Sequence, residues 1–133
     1  MPAARLSPDH RRFLRERPFV GTVTVLRPDG SPHSTVVWVD EDGGDVVFNT
    51  VIGRAKERYL RADPRAAMLV ADPRDPYKWV GVSGTAALST EAAEAHIDKL
   101  SQKYLGRPYP WHKPDEQRVV VRIRVDRVDS HGF

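Results

Sequence analysis

The chain of 133 residues has the size of one globular domain, and its 40% hydrophobic and 29% charged residues exclude a chain that is disordered throughout. It contains no cysteine, which excludes disulfides, thiol catalysis and cysteine-held iron–sulfur or zinc centres. The 21 Lys and Arg against 18 Asp and Glu give a formal net charge of +3, which favours an anionic partner without identifying it. We expect a single domain over residues 1–133. We also expect a cytoplasmic protein, because no stretch is apolar for long enough to span a membrane and the first residues lack the apolar region of a signal peptide.

The first half of the sequence predicts one helix followed by three strands. Ser7-Pro8 is typical of a helix start, with Ser as the N-cap and Pro in the first turn. Segments 19–27 and 32–40 are rich in β-branched residues and flank a Pro-Asp-Gly turn, so they predict a hairpin. A second turn is predicted at residues 41–44, after which segment 45–50 continues the antiparallel run.

The second half predicts two helices and three strands. In chain order these are a helix at 53–62, a strand at 66–71, a proline-punctuated loop at 72–78, a strand at 79–88, a helix at 90–105 and a strand at 118–128. The last strand alternates, which predicts a solvated face that includes Arg118. The polar side of the helix at 90–105 is expected to leave three side chains solvated, namely His96, Lys99 and Lys103. Together the elements predict a mainly β fold with inserted helices, a six-stranded antiparallel split β-barrel.

The segment from Asn49 to Lys56 has the composition of a phosphate site. A strand ends in Asn49 and Thr50, a glycine allows a sharp turn, and a helix then begins with Arg54 and Lys56 in its first turn. Free amide hydrogens at a helix start attract anions, whereas cations there are disfavoured unless an anion lies between them. The pattern is compatible with a bound phosphate. A solvated basic face is the alternative, because further arginines follow.

Other chemistries have little support in the sequence. There is no GxGxxG, P-loop or GxSxG pattern, and the five histidines lack metal-ligand spacing, so no metal site is expected. Acidic residues interrupt the basic ones, which argues against a nucleic-acid partner. Trp38 is either a core or interface aromatic or a contact for a flat ring, and Trp79 is assigned to the core or to a subunit interface.

Three segments together resemble one known family. FNTVIGRAKERYLRADPRAAMLV, WVGVSGTAAL and RVVVRIRVDRV are similar to the flavin/deazaflavin oxidoreductase superfamily, the pyridoxamine 5′-phosphate oxidase-like group of FMN-binding split barrels. They most resemble its actinobacterial branch, which uses the deazaflavin coenzyme F-420. The resemblance extends from about residue 6 to residue 128, and the T-x-x-G-R-x-K block at 50–56 is its most specific part.

The resemblance implies roles for particular residues. Arg54 and Lys56 would hold the cofactor phosphate, with Asn49 and Thr50 beside them. The predicted strand at 32–40 would line the tricyclic ring, through His33, Ser34, Thr35, Val36 and Trp38. The family also implies a homodimer with the cofactor between the subunits, to which Trp79, Tyr109 and Trp111 would contribute, the last two over the substrate.

The implied function is hydride transfer from reduced coenzyme F-420 to a small conjugated organic acceptor. The cofactor would carry the chemistry, so no side chain is expected to be indispensable, and His33 is the candidate proton donor. An FMN-dependent oxidase or reductase on the same fold is an alternative, because FMN and the deazaflavin share a ring shape and a phosphate. A non-catalytic flavin- or tetrapyrrole-binding protein is another.

Overall fold

The computed structural model describes residues 3–133, which contain three helices and seven strands. In chain order they are α1 (Pro8–Glu16), β1 (Gly21–Leu26), β2 (Pro32–Val37), β3 (Asp40–Asp42), β4 (Asp45–Val51), α2 (Ala55–Ala62), β5 (Arg65–Asp72), β6 (Asp75–Ser89), α3 (Ala93–Leu105) and β7 (Arg118–His131). Among the described residues, no helix combines the length and the apolar character needed to cross a membrane.

The strands form one antiparallel sheet whose order is β2-β1-β5-β6-β7-β4-β3. The two edge strands, β2 and β3, are consecutive in the chain and are separated only by Trp38 and Val39. Because the three residue steps from Val37 to Asp40 span at most about 10 Å, the sheet must curl until its edges approach each other there. The hydrogen-bonded ladder nevertheless stays open between β2 and β3. The result is a split, barrel-like sheet.

The mainly β fold with inserted helices is confirmed, but the strand count of six was one too low. Residues 40–42 pair with residues 45–47 as β3 and β4, so the predicted turn at 41–44 was too long. Gly43 and Gly44 make the whole turn, with φ of 61° and 91°. Two successive residues with positive φ suit a tight two-residue hairpin, which lets Glu41 and Asp42 stay in the strand.

The proline-punctuated loop predicted at 72–78 is also shorter in the structure. Asp72 pairs with Asp75, and the next pair joins Ala71 to Trp79, so residues 76–78 form an irregular bulge within β6. The side chain of Asp72 accepts a hydrogen bond from the amide of Arg74 at 2.8 Å, which stabilises the turn. Proline therefore marked a bulge here, and the strand continues past it.

The buried core lies inside the curled sheet. Its fully buried members include Val23, Val25, Phe48, Val121 and Ile123. Helix α2 contacts β1 and β4, whereas α3 contacts β7 and β4. The carboxyl end of β4 therefore lies between the two helices.

Two polar side chains of α3 that were predicted to be solvated are instead part of its packing. Lys103 Nζ donates to the carbonyl oxygens of Leu14 and Val39, both at 2.6 Å, and burial lowers the pKa of Lys103 to about 8. His96 Nδ1 lies 3.1 Å from Asn49 Nδ2, and burial lowers the pKa of His96. The prediction was wrong for both because this side of α3 faces the protein, and it holds only for the exposed Lys99.

Candidate functional site

A cavity of about 300 Å³ lies at the carboxyl end of β4, between α2 and α3. Eight of the residues singled out in the sequence line it, namely Val36, Trp38, Asn49, Thr50, Arg54, Lys56, Tyr109 and Trp111. Its volume is at the lower end of the range for small-molecule sites. The fold thus brings the proposed phosphate residues and the proposed substrate residues to one place.

Four of the residues singled out do not line this cavity. The His33 ring lies 5.5 Å from the Tyr59 ring, and its Nδ1 lies 3.1 Å from Arg27 Nη2. Ser34 Oγ is hydrogen-bonded to Thr24 Oγ1 at 2.8 Å, Thr35 stands on the same strand, and Trp79 pairs with Ala71 in β5. Their contact with a cofactor stays a prediction, and within this chain His33 does not reach the cavity wall.

The start of α2 is open toward an anion. Gly53 has φ of 94°, a left-handed conformation that glycine adopts without steric cost, and it turns the chain from β4 into the helix. The N-cap residue is Arg54, and no described side chain makes the capping hydrogen bond. Glu57, the acidic residue of the first turn, accepts from the amide of Gly53, which precedes the helix, at 3.0 Å and leaves the first-turn amides free. The first-turn amides of α2 are therefore placed to attract an anion.

The side chains around this helix start carry the matching charges. Lys56 is half-buried, and its pKa is lowered first by burial and then by the positive charge of Arg54. Two neighbouring cations repel each other until an anion lies between them. Anion binding is therefore expected to raise the pKa of Lys56.

Thr50 supplies a hydroxyl at the same cavity. Its side chain is 1% exposed, and its Oγ1 has no hydrogen-bond partner among residues 3–133. A buried polar atom without a partner costs about 1–3 kcal/mol, which a ligand that offers an acceptor would recover. A phosphate oxygen would accept from Thr50 once the atoms that cover its Oγ1 move aside, and Arg54 and Lys56 would balance the phosphate charge.

An aromatic wall closes the other side of the cavity. Trp38 stacks on Tyr104 of α3, with ring centroids 5.4 Å apart and an angle of 11° between the planes. The Tyr104 hydroxyl donates to the Phe19 carbonyl at 2.7 Å and accepts from the Val39 amide at 2.9 Å. These two hydrogen bonds fix the ring of Tyr104, on which Trp38 stacks. Trp38 is therefore a packed aromatic that also lines the cavity, and the two interpretations of this residue are compatible.

Arg118 is a residue of this site that the sequence did not reveal. It was placed on the solvated face of β7, yet it is only 6% exposed. Its Nη2 donates to the Tyr109 hydroxyl at 2.9 Å, and its Nη1 donates to Asn49 Oδ1 at 3.4 Å. Alternation assigns a residue to a face but does not tell what covers that face. Here the segment 106–117 covers the first residue of β7.

The same segment is fastened to α3 by His112. Its Nδ1 lies 2.8 Å from Glu94 Oε2, and its Nε2 lies 2.9 Å from Asp98 Oδ1. Asp98 also accepts from the Tyr109 amide at 2.9 Å. The hydrogen bond to Asp98 is the largest cause of the raised pKa of His112. An imidazolium can donate from both nitrogens, so protonation suits this arrangement.

We expect the segment 106–117 to loosen as the pH rises. Because the pKa of His112 is raised above 6.5, its contribution is complete below that pH and is lost as the pH rises through the raised value. The protection factors of residues 106–117, which correct hydrogen exchange for its faster intrinsic rate at higher pH, should therefore fall over this range. A His112→Gln variant should lose this dependence, whereas a His131→Gln control should keep it. Equal pH profiles for wild type and His112→Gln would show that His112 does not fasten the segment.

The residues described, 3–133, contain no group of three or more His, Asp or Glu side chains positioned to hold a metal ion.

Comparison with known proteins gives matches over most of the chain. The sequence profile of the pyridoxamine 5′-phosphate oxidase family matches residues 6–132. A solved F-420 reductase is 30% identical, with 92% of this chain and 98% of that chain covered and a TM-score of 0.80. A conserved hypothetical protein from Mycobacterium tuberculosis is 28% identical, covering 96% of this chain and 86% of its own with a TM-score of 0.74. A putative pyridoxamine 5′-phosphate oxidase from Listeria innocua is 20% identical, covers 84% and 86%, and shares the fold with a TM-score of 0.64.

Proposed function

Because the chain belongs to the pyridoxamine 5′-phosphate oxidase family, we propose that its cavity binds reduced coenzyme F-420 for hydride transfer to a small conjugated organic acceptor. The family and the F-420 reductase relative support an oxidoreductase of the flavin or deazaflavin type. The choice of the deazaflavin rests on that relative and on the resemblance of the sequence to the F-420-dependent branch.

The observation that carries the proposal is the phosphate-binding set at one end of the cavity. The unpartnered hydroxyl of Thr50, the open start of α2 and the cations of Arg54 and Lys56 all border the same space. Thr50 and the first-turn amides lack an acceptor, and among residues 3–133 Lys56 has no carboxylate within ion-pair distance, whereas Arg54 already has Glu116 at 3.6 Å. Within the described part of the chain, Thr35 and Ser101 also have buried hydroxyls without a partner, so the argument for a phosphate rests on the position of Thr50 beside two cations and a helix start.

The remaining walls suit a flat ring. Trp38, Ile97 and Leu100 present aromatic and aliphatic surface beside the phosphate end. When bound, the coenzyme supplies the hydride, and the protein has to hold ring and acceptor about 3–3.5 Å apart in the correct orientation. The stacked pair of Trp38 and Tyr104 gives a rigid surface for this task.

The acceptor is assigned to the side of the cavity formed by Tyr109 and Trp111. Trp111 is 54% exposed, and its ring meets the Tyr109 ring edge-on at 5.5 Å. The Tyr109 hydroxyl accepts a hydrogen bond from Arg118, and the Tyr109 amide donates one to Asp98. The hydride goes to a carbon of the acceptor, and a proton from solvent completes the reduction. We assign the delivery of this proton to water, because His33 does not line the cavity.

Side-by-side titrations test the choice of cofactor. Quenching of ligand fluorescence by the protein is measured for coenzyme F-420 and for FMN, each at low and moderate salt. The proposal expects tighter binding of the deazaflavin. Tighter binding of FMN at both salt concentrations would instead assign the cavity to an FMN-dependent enzyme, the second candidate that the same phosphate-binding set favours.

A homodimer is part of this proposal. Paired residues Val36, Thr22, Leu69 and Gly81 form a row across β2, β1, β5 and β6 on one outer face of the sheet. Val36 is 63% exposed and Leu69 48%, and Val36 also lines the cavity. A second copy on this face would cover the apolar side chains and enlarge the cavity with its own residues.

Sedimentation at micromolar concentration tests the dimer. The wild-type protein is expected to sediment as a dimer, because covering exposed apolar side chains favours association. Leu69→Arg should shift it toward the monomer and weaken cofactor binding, whereas Tyr77→Arg, at a side chain 76% exposed elsewhere, should change neither. A wild-type monomer that binds cofactor tightly would exclude a shared site.

A further inference from the structure

Glu116 lies where three cations of the cavity region converge. Its Oε1 is 3.6 Å from Arg54 Nη2 and 3.8 Å from Lys113 Nζ, and its Oε2 is 3.8 Å from Arg118 Nη2. The Glu116 side chain is 20% exposed. One carboxylate thus stands among cations from the start of α2, from the segment 106–117 and from the first residue of β7.

None of these three contacts has the length of a charge-assisted hydrogen bond, about 2.7–2.9 Å. The Glu116 carboxylate therefore interacts with these cations through longer-range charge attraction and not through short hydrogen bonds. The position of the residue is nevertheless fixed by its backbone. The Glu116 amide donates to the Lys113 carbonyl at 3.1 Å, and the Ile52 amide donates to the Gln117 carbonyl at 2.9 Å. The backbone at Glu116 is therefore tied to the segment that leads into α2.

A fixed negative charge beside an anion site affects ligands according to their own charge. A phosphomonoester carries about −1.5 to −2 charges at pH 7, whereas a phosphodiester carries one. Because Coulomb repulsion is proportional to the ligand charge, Glu116 disfavours the monoester about twice as strongly in free energy. Arg54 and Lys56 attract both the monoester and the diester, so both ligands are expected to bind. Glu116 mainly changes the ratio of their affinities.

We propose that Glu116 is a specificity-determining residue, which biases the anion site toward a singly charged phosphodiester and against a phosphomonoester. The proposal rests on the proposed function, since it takes Arg54 and Lys56 as the phosphate ligands. It also gives a physical reason for preferring the deazaflavin, whose phosphate is a diester, over FMN, whose phosphate is a monoester.

Three ligands with the same ring separate the effects of charge and ring. They are FMN, its phosphate monomethyl ester and riboflavin, which carry a phosphomonoester, a phosphodiester and no phosphate. Their dissociation constants are measured by fluorescence titration with the wild-type protein, with Glu116→Gln and with Glu16→Gln. The last variant removes an exposed carboxylate at the end of α1 as a matched control.

The expected result is graded by ligand charge. Glu116→Gln should tighten FMN about tenfold and the methyl ester about threefold, and should leave riboflavin unchanged. Glu16→Gln should leave all three unchanged. Lys113→Gln should act in the opposite direction and weaken FMN more than the ester. If the wild type binds none of the three, binding of FMN by Glu116→Gln alone would support the proposal.

Other outcomes would overturn it, and they separate the two proposals. Equal shifts for FMN and its ester, or no shift while FMN binds more tightly than riboflavin, would remove Glu116 from specificity and leave the phosphate site standing. Equal affinity of the wild type for FMN and riboflavin, unchanged in Glu116→Gln, would remove the phosphate site itself. Absence of binding by both proteins would show that Glu116 is not what excludes FMN.

Discussion

Replacing Arg54 and Lys56 together by alanine is expected to weaken coenzyme binding by at least tenfold to a hundredfold. Both side chains line the cavity at the open start of α2. Charge-assisted hydrogen bonds contribute about 1.5–3 kcal/mol each, and the lower figure applies to Arg54 because its side chain is half exposed. Fluorescence titration with the coenzyme measures the loss.

A variant with the same change in net charge provides the control. Arg12 and Arg124 are exposed and lie on α1 and β7, outside the cavity lining. Replacing both by alanine removes two positive charges without touching the site, so affinity should change little at moderate salt. If the Arg54 and Lys56 variant keeps wild-type affinity with an unchanged circular dichroism spectrum, the phosphate does not bind at α2.

The second large effect is expected on stability, from Gly84→Ala. Gly84 lies at an irregularity in the pairing of β6 with β7. A Cβ there would collide with the Arg124 carbonyl oxygen and stand 2.8 Å from its carbon. Backbone atoms cannot move aside as a flexible side chain can, so we expect a loss of about 3 kcal/mol and a fall in Tm of about 10 °C.

Gly81→Ala in the same strand is the control, and both variants are compared in dilute protein because Gly81 lies on the proposed dimer face. Its Cβ would meet no atom closer than 3.7 Å, so its unfolding midpoint should stay near that of the wild type. Chemical denaturation of the two variants compares them directly. Equal midpoints would show that β7 can shift to accommodate the extra methyl group.

Local chemistry made part of the site predictable. The block from Asn49 to Lys56 combines turn, helix start and cations within eight residues, so its geometry depends little on distant parts of the chain. The structure accordingly places Thr50, Arg54 and Lys56 on one cavity. The helix start at Ser7 followed from equally local signals, and the Ser7 side chain accepts from the His10 amide.

The features that were missed depend on contacts distant in the sequence. Lys103 is partly buried because its ammonium group reaches carbonyls 64 and 89 residues away. Arg118 is buried because the segment 106–117 folds over it and supplies the Tyr109 hydroxyl. Alternation and helical periodicity indicate which face a residue occupies, but only the assembled fold decides whether that face is covered. For the same reason the sequence does not predict that Glu116 lies beside three cations.

Hydrogen–deuterium exchange with and without saturating coenzyme F-420 tests most directly whether this cavity is the coenzyme site. If it is, exchange is expected to be slower in residues 49–58, at the phosphate end, and in residues 106–117, over the ring and acceptor. A protein that binds the coenzyme but shows protection only elsewhere, with both segments unchanged, would contradict it.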